Sequence, residues 1–183
     1  MGLEIYATSN IVIKHLEPDV YSFNELLDAE LGSFYINHDF ESHISEYIPE
    51  SDLDEGVVEY AHTNESVNDS VSMGSYSNYN TFRNILSESV LKVSAEQAWE
   101  KPSKYCKKPL WDIINFSDCD GSMDASTSSK VYKDLKKSRS LFKIYISNLN
   151  SIGEMDKEYN INLYDELTRC FKLGANNGII IFM

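Results

Sequence analysis

A chain of 183 residues with 42% apolar and 12% aromatic side chains is long enough to bury a core and too apolar for disorder to be the default. One domain over 1–183 is therefore expected. The formal net charge of −13 disfavours direct DNA or RNA binding, because a polyanion meets net repulsion. No apolar run approaches the ~20 residues that span a bilayer, so no membrane partner is expected either.

Leu3, Ile5 and Ala7 alternate with Glu4, Tyr6 and Thr8, which predicts a half-buried strand over Leu3–Ser9. Ile11–Ile13 either continues it or pairs with it across Asn10. An acidic, irregular excursion follows at about 17–69, with an apolar cluster at Phe34-Tyr35-Ile36 and one predicted helix at Glu41–Tyr47. Gly56–Tyr60 and Ser70–Met73 read as further strands. The pattern then turns helical, with Phe82, Ile85, Leu86 and Val90 on one face of Tyr79–Leu91 and Asn78 or Asn80 as a cap. Pro102 and Pro109 bracket a loop, and Leu110–Ile114 predicts one helical turn. A helix capped by Asp124 or Ser126 runs through Lys137, with Leu141–Leu149 as a separate short element. A last helix starts near Asn160 or Asn162 and places Leu163, Leu167, Cys170 and Phe171 inward. Gly174 and Asn176-Asn177-Gly178 stop it, and Gly178–Met183 closes as an apolar strand. The expected class is α+β, one mixed or mainly antiparallel sheet with helices packed on a face.

Charge is unevenly placed. Residues 1–72 carry sixteen acids and one base, Lys14, whereas 73–183 carry thirteen acids and fifteen bases. The acidic third is either a solvated face or a surface that competes for a basic host protein. Lys130, Lys133 and Lys137 share a helix face that reads as solvated, and Lys101, Lys104, Lys107 and Lys108 cluster in the proline-flanked loop, where they either approach an anionic ligand or are simply part of a loop.

Cys106, Cys119 and Cys170 have no paired spacing and lie far from the four histidines, so reduced thiols and no zinc site are expected. No other cofactor is implied. Met1-Gly2 opens like an acylation signal, but Tyr6 stands where serine or threonine is required. No basic region followed by an apolar stretch opens the chain, and a cytoplasmic protein is expected.

Two segments concentrate small polar groups beside rings. Gly74-Ser75-Tyr76-Ser77-Asn78-Tyr79-Asn80, with Arg83 one turn on, joins a strand to a helix. Ser75 and Ser77 offer hydroxyls, Tyr76 and Tyr79 offer rings to stack on, and Arg83 offers a fork for phosphate or carboxylate. It lacks the Gly-Lys-Ser/Thr of a phosphate-binding loop and the spaced glycines of a nucleophile elbow. The second segment is Asn115-Phe116-Ser117-Asp118-Cys119-Asp120-Gly121. It lacks the terminal glutamate of a calcium loop, though Asp118 and Asp120 leave magnesium or acid/base work open. The candidate ligand-binding set is Ser75, Tyr76, Ser77, Tyr79, Arg83, Asn115, Ser117 and Asp118, with the two segments facing across one pocket.

Taken in order, Met1–Ile5, Gly74–Asn80 with Arg83, Ile113–Gly121 and Ile179–Met183 resemble a family of uncharacterised phage, prophage and bacterial proteins. Its members open with Met-Gly-Leu-Asp-Ile, continue with Gly-Ser-Tyr-Ser-Gly-Tyr-Asn and Asn-Phe-Ser-Asp-Cys-Glu-Gly, and end near Asp-Phe-His. This chain departs at Glu4, Asn78 and Asp120, and Ile181-Phe182-Met183 lacks the acid and the histidine. The resemblance implies a phage accessory role, such as interference with a host defence, and no established activity. The expectation is a non-enzymatic binder of a small polar or nucleotide-like ligand. The alternatives are an acidic inhibitor of a host factor and a hydrolase or transferase using Asp118 or Asp120.

Overall fold

The computed structural model describes residues 2–15, 40–41, 57–116 and 121–182. Strand β1 (Gly2–Thr8) buries Leu3, Ile5 and Ala7 completely and turns Tyr6 outward, as alternation on a half-covered sheet requires. It is central in a four-stranded sheet of order β5-β1-β7-β6, formed with β5 (Asn68–Ser75), β6 (Gly121–Met123) and β7 (Ile179–Phe182). Every pairing in it is antiparallel. β7 has no polar face: all four of its residues are buried, because Ile180 and Phe182 face the main core while Ile179 and Ile181 pack with Ile11 on the other side.

The expectation that Ile11–Ile13 continues or pairs with β1 is corrected. Asn10 takes the left-handed region at φ 53°, which asparagine tolerates better than most residues. Its N–H donates to Asn176 O and that of Ile11 to Asn177 O. The chain leaves the first sheet there, and β2 (Ile11–His15) pairs with β4 (Val57–His62) in a second, three-stranded sheet of order β2-β4-β3 with β3 (Phe40–Glu41). Glu41 is thus in a strand; the remainder of the helix expected at Glu41–Tyr47, and the Phe34-Tyr35-Ile36 cluster, lie outside the described residues.

Three long helices cover the inner face of the first sheet: α1 (Tyr76–Val90), α5 (Ala125–Asn148) and α6 (Glu154–Gly174). The fold is α+β, with an antiparallel sheet carrying helices. α1 begins three residues earlier than expected because Ser75, and neither Asn78 nor Asn80, is the cap; its Oγ accepts from Asn78 N at 3.2 Å. α5 is one continuous helix and does not end at Lys137. Its buried stripe runs Val131, Leu135, Ser138, Phe142, Ile146, so a buried serine bridges what looked like two apolar patches. Asp124 caps it, accepting from Thr127 N at 2.7 Å. α6 starts at Glu154, well before Asn160. Asp156 accepts from Gly153 N at 3.3 Å, and acids in the first turn suit the positive end of the helix.

Between α1 and β6 lie three short helices: α2 (Ala95–Trp99), α3 (Pro102–Tyr105) and α4 (Trp111–Ile114). α2 carries a reciprocal capping box, with Ser94 Oγ accepting from Gln97 N and the Gln97 side chain accepting from Ser94 N.

Candidate functional site

The glycine motif is shaped first by backbone geometry. Leu3 pairs with Gly74 and Glu4 with Ser72, so Met73 is the extra residue of a bulge in β5. Gly74 follows at φ +71°, and a Cβ there would stand 2.7 Å from Asn78 Nδ2. Gly2, opposite, has equally little room, since a Cβ on it would meet Gly74 O at 2.9 Å. The bulge and the left-handed turn swing the chain from β5 directly into α1, and Ser75 caps it. Ser75 and Ser77 stay exposed and Tyr76 is half-buried against the core. Thr81 Oγ1 donates to Ser77 O at 2.9 Å.

One turn further along, the side chains point inward. Tyr79 is fully buried and its ring packs against Phe182 at 6.1 Å between centroids. Stacking of a ligand on Tyr79, expected from the sequence, does not fit this position: the ring belongs to the core. Arg83 is 5% exposed. Its guanidinium carbon lies 4.7 Å from the Tyr79 ring centroid and 4.9 Å from that of Trp99, and it donates to Phe116 O and to Asn80 Oδ1.

The acceptors of these side chains share one origin. α4 is a single turn whose last carbonyls have no intrahelical partner. Tyr79 Oη donates to Ile113 O at 3.4 Å. Trp99 Nε1 donates to Ile114 O at 3.0 Å, and Arg83 reaches Phe116 O one residue beyond the cap. Three donors from α1 and α2 therefore close the end of α4 and fix the start of the second segment. Arginine is well suited to this, since a cation is favoured where carbonyls converge. Phe116 is locked from the other side by Phe182, at 4.4 Å between ring centroids.

The two segments read from the sequence are thus adjacent, joined through Tyr79 and Arg83. Asn115, the residue that ends α4, is half-buried at this joint. Ser117, Asp118 and Asp120 lie outside the described residues. Trp99 is the member that sequence reading missed. It is 37% exposed, with its Nε1–H directed at Ile114 O and its ring lying against Arg83. The capping box at Ser94 and Gln97 was the signal that could have placed it on a helix.

The carboxylates nearby have partners. Asp112 in α4 is fully buried, with Lys130 Nζ 2.9 Å from its Oδ2 and 3.1 Å from Oδ1, the latter at hydrogen-bond geometry. Burial pushes its pKa up, and the Lys130 ammonium opposes that shift. Asp134 Oδ2 accepts from Leu110 N at 3.1 Å, which holds the left-handed residue (φ 63°) that opens α4.

No family model, curated protein or solved structure matches this chain. Among the described residues, no helix is long and apolar enough to cross a membrane.

Proposed function

We propose that the chain is a phage-type accessory protein that binds a small polar or nucleotide-like ligand at the joint of the two segments, in the host cytoplasm, where sequestering it counteracts a host defence. The observation that carries this reading is that Arg83, buried between Tyr79 and Trp99, ties the start of α1 to the first residues of the second segment, so that the exposed polar groups of both stand side by side. Around it stand the exposed face of Trp99, the Asn80 and Asn115 amides and the Ser75 and Ser77 hydroxyls. The N-terminus of the 15-residue α1 adds partial positive charge and backbone N–H groups, which favour an anionic group on the ligand.

Among the described acids near the joint, Asp112 is paired with Lys130 and Asp124 caps α5, so neither is placed as a general base. Small molecules carried through purification, identified by mass spectrometry, and a thermal-shift panel of nucleotides, nucleosides and polar metabolites test the reading. A bound species, or a panel ligand that raises the Tm, supports it. An empty protein that no panel compound stabilises contradicts it.

A further inference from the structure

Ten of the sixteen basic residues lie between positions 101 and 143, and the fold gathers two clusters that look separate in the sequence. Leu110 N is bonded to Asp134 on α5, and Asp112 to Lys130 on α5. These ties fix Leu110 and Asp112 on the N-terminal half of that helix, and Lys108 and Lys107 lie two and three residues ahead of Leu110 in the chain. The acids at this seam are engaged, Asp112 by Lys130 and Asp134 by the Leu110 amide. Among the described residues Lys107, Lys108, Lys133 and Lys137 have no ion pair, and all four are exposed.

The same outer stripe of α5 continues into apolar residues. Lys133, Lys137, Leu141 and Ile144 follow one another at spacings of four, four and three, which keeps them on one helix face. That face lies opposite the buried stripe of Val131, Leu135, Ser138, Phe142 and Ile146. Leu141 is 48% and Ile144 59% exposed, an unusual pair to leave adjacent on a solvated helix. From Lys133 to Ile144 the stripe runs about 16 Å at ~1.5 Å per residue, three turns of a partner helix.

We propose that this face of α5, with Lys107 and Lys108 at its flank, is a docking surface for an acidic amphipathic helix of another protein, its carboxylates on the lysines and its apolar residues on Leu141 and Ile144. A phosphate backbone would satisfy the lysines but leaves the two apolar residues without a partner. A long polyanion or an anionic bilayer also feels the whole −13 charge, whereas a short acidic helix feels the local cations within a screening length of about 8 Å. The patch is small, so the contact is a transient one.

The test uses the full chain and four probes at physiological salt. They are a synthetic helical peptide of about four turns with glutamate and leucine on one face, the same peptide with serine for leucine, a single-stranded oligonucleotide, and phosphatidylserine vesicles. The glutamate–leucine peptide is expected to bind most tightly. Replacing its leucines weakens binding several-fold, and the paired change Lys133→Glu with Lys137→Glu weakens it by roughly tenfold or more. Leu141→Ser with Ile144→Ser weakens the leucine peptide and leaves the serine peptide unaffected. These positions are exposed, so the Tm of each variant stays near that of the parent, which separates lost docking from lost folding. Tighter binding of the oligonucleotide or of the vesicles overturns the proposal, and so does peptide binding that the charge reversals leave unchanged or that is absent.

Discussion

Arg83→Met removes the donors that close the end of α4 while keeping most of the aliphatic stem. The Phe116 carbonyl then loses its donor in a buried setting, at about 1–3 kcal/mol. Loss of the guanidinium between Tyr79 and Trp99 removes a further ~0.5–2 kcal/mol. Asn80 is exposed and recovers a partner from water. The expected destabilisation is therefore about 2–4 kcal/mol, which a domain of ordinary stability survives. At ~2–4 °C per kcal/mol for a chain of this size, the melting temperature falls by roughly 5–15 °C in a thermal scan followed by circular dichroism. Arg83→Lys falls in between, because an ammonium lacks the planar fork and the stacked face. Trp99→Phe removes the donor to Ile114 O and the better of the two stacking rings, and in a double-mutant cycle it couples to Arg83→Met by at least ~0.5 kcal/mol. A melting point for Arg83→Met within about 2 °C of the parent, or strict additivity with Trp99→Phe, would refute this role of Arg83 in closing the end of α4.

Two further outcomes follow from local geometry. Gly74→Ala places a Cβ at φ +71° and 2.7 Å from Asn78 Nδ2; chemical denaturation is expected to show a loss of about 1–2 kcal/mol, and adding Asn78→Gly relieves the contact but not the backbone cost. The folded pKa of Asp112 lies above the value of 3.8 for a free carboxyl, so its contribution is greatest below that pH and declines as pH rises through the folded value. Asp112→Asn is expected to remove that decline from a stability-versus-pH curve. Asp69 and Asp165, held low by hydrogen bonds from Arg169 and Arg139, act in the other window: their contribution is lost only as pH falls below 3.8. A parent and variant with parallel curves above pH 3.8 would contradict this role for Asp112.

The class of fold was legible where residues repeat at one clear period. β1 alternates and β7 is apolar throughout, and both stand within a residue or so of their expected bounds. Elements whose buried stripe includes a small polar residue were misjudged. Ser138 hid the continuity of α5, and the first two turns of α6 hid its start, since Met155 and Tyr159 there are exposed and the buried stripe begins only at Leu163. The second sheet was illegible for a different reason: one left-handed residue, Asn10, decides it.

At the site, the adjacency of the two segments was an inference from residue type, and it rests physically on Arg83 and Tyr79 meeting the carbonyls of Phe116 and Ile113. The burial of Tyr79 was not visible, because a tyrosine beside serines reads equally well as a ring in the core or at a surface. Trp99 lies 16 residues from Arg83 in the chain, and no local pattern joins the two.

The central claim is that the start of α1 and the end of α4 serve one ligand. Hydrogen exchange read by mass spectrometry, with and without the compound that gives the largest thermal shift, tests it directly. Slowed exchange confined to residues 75–80 and 113–116 together is the predicted result. Protection of only one of the two segments, or of neither while another surface is protected, would contradict it.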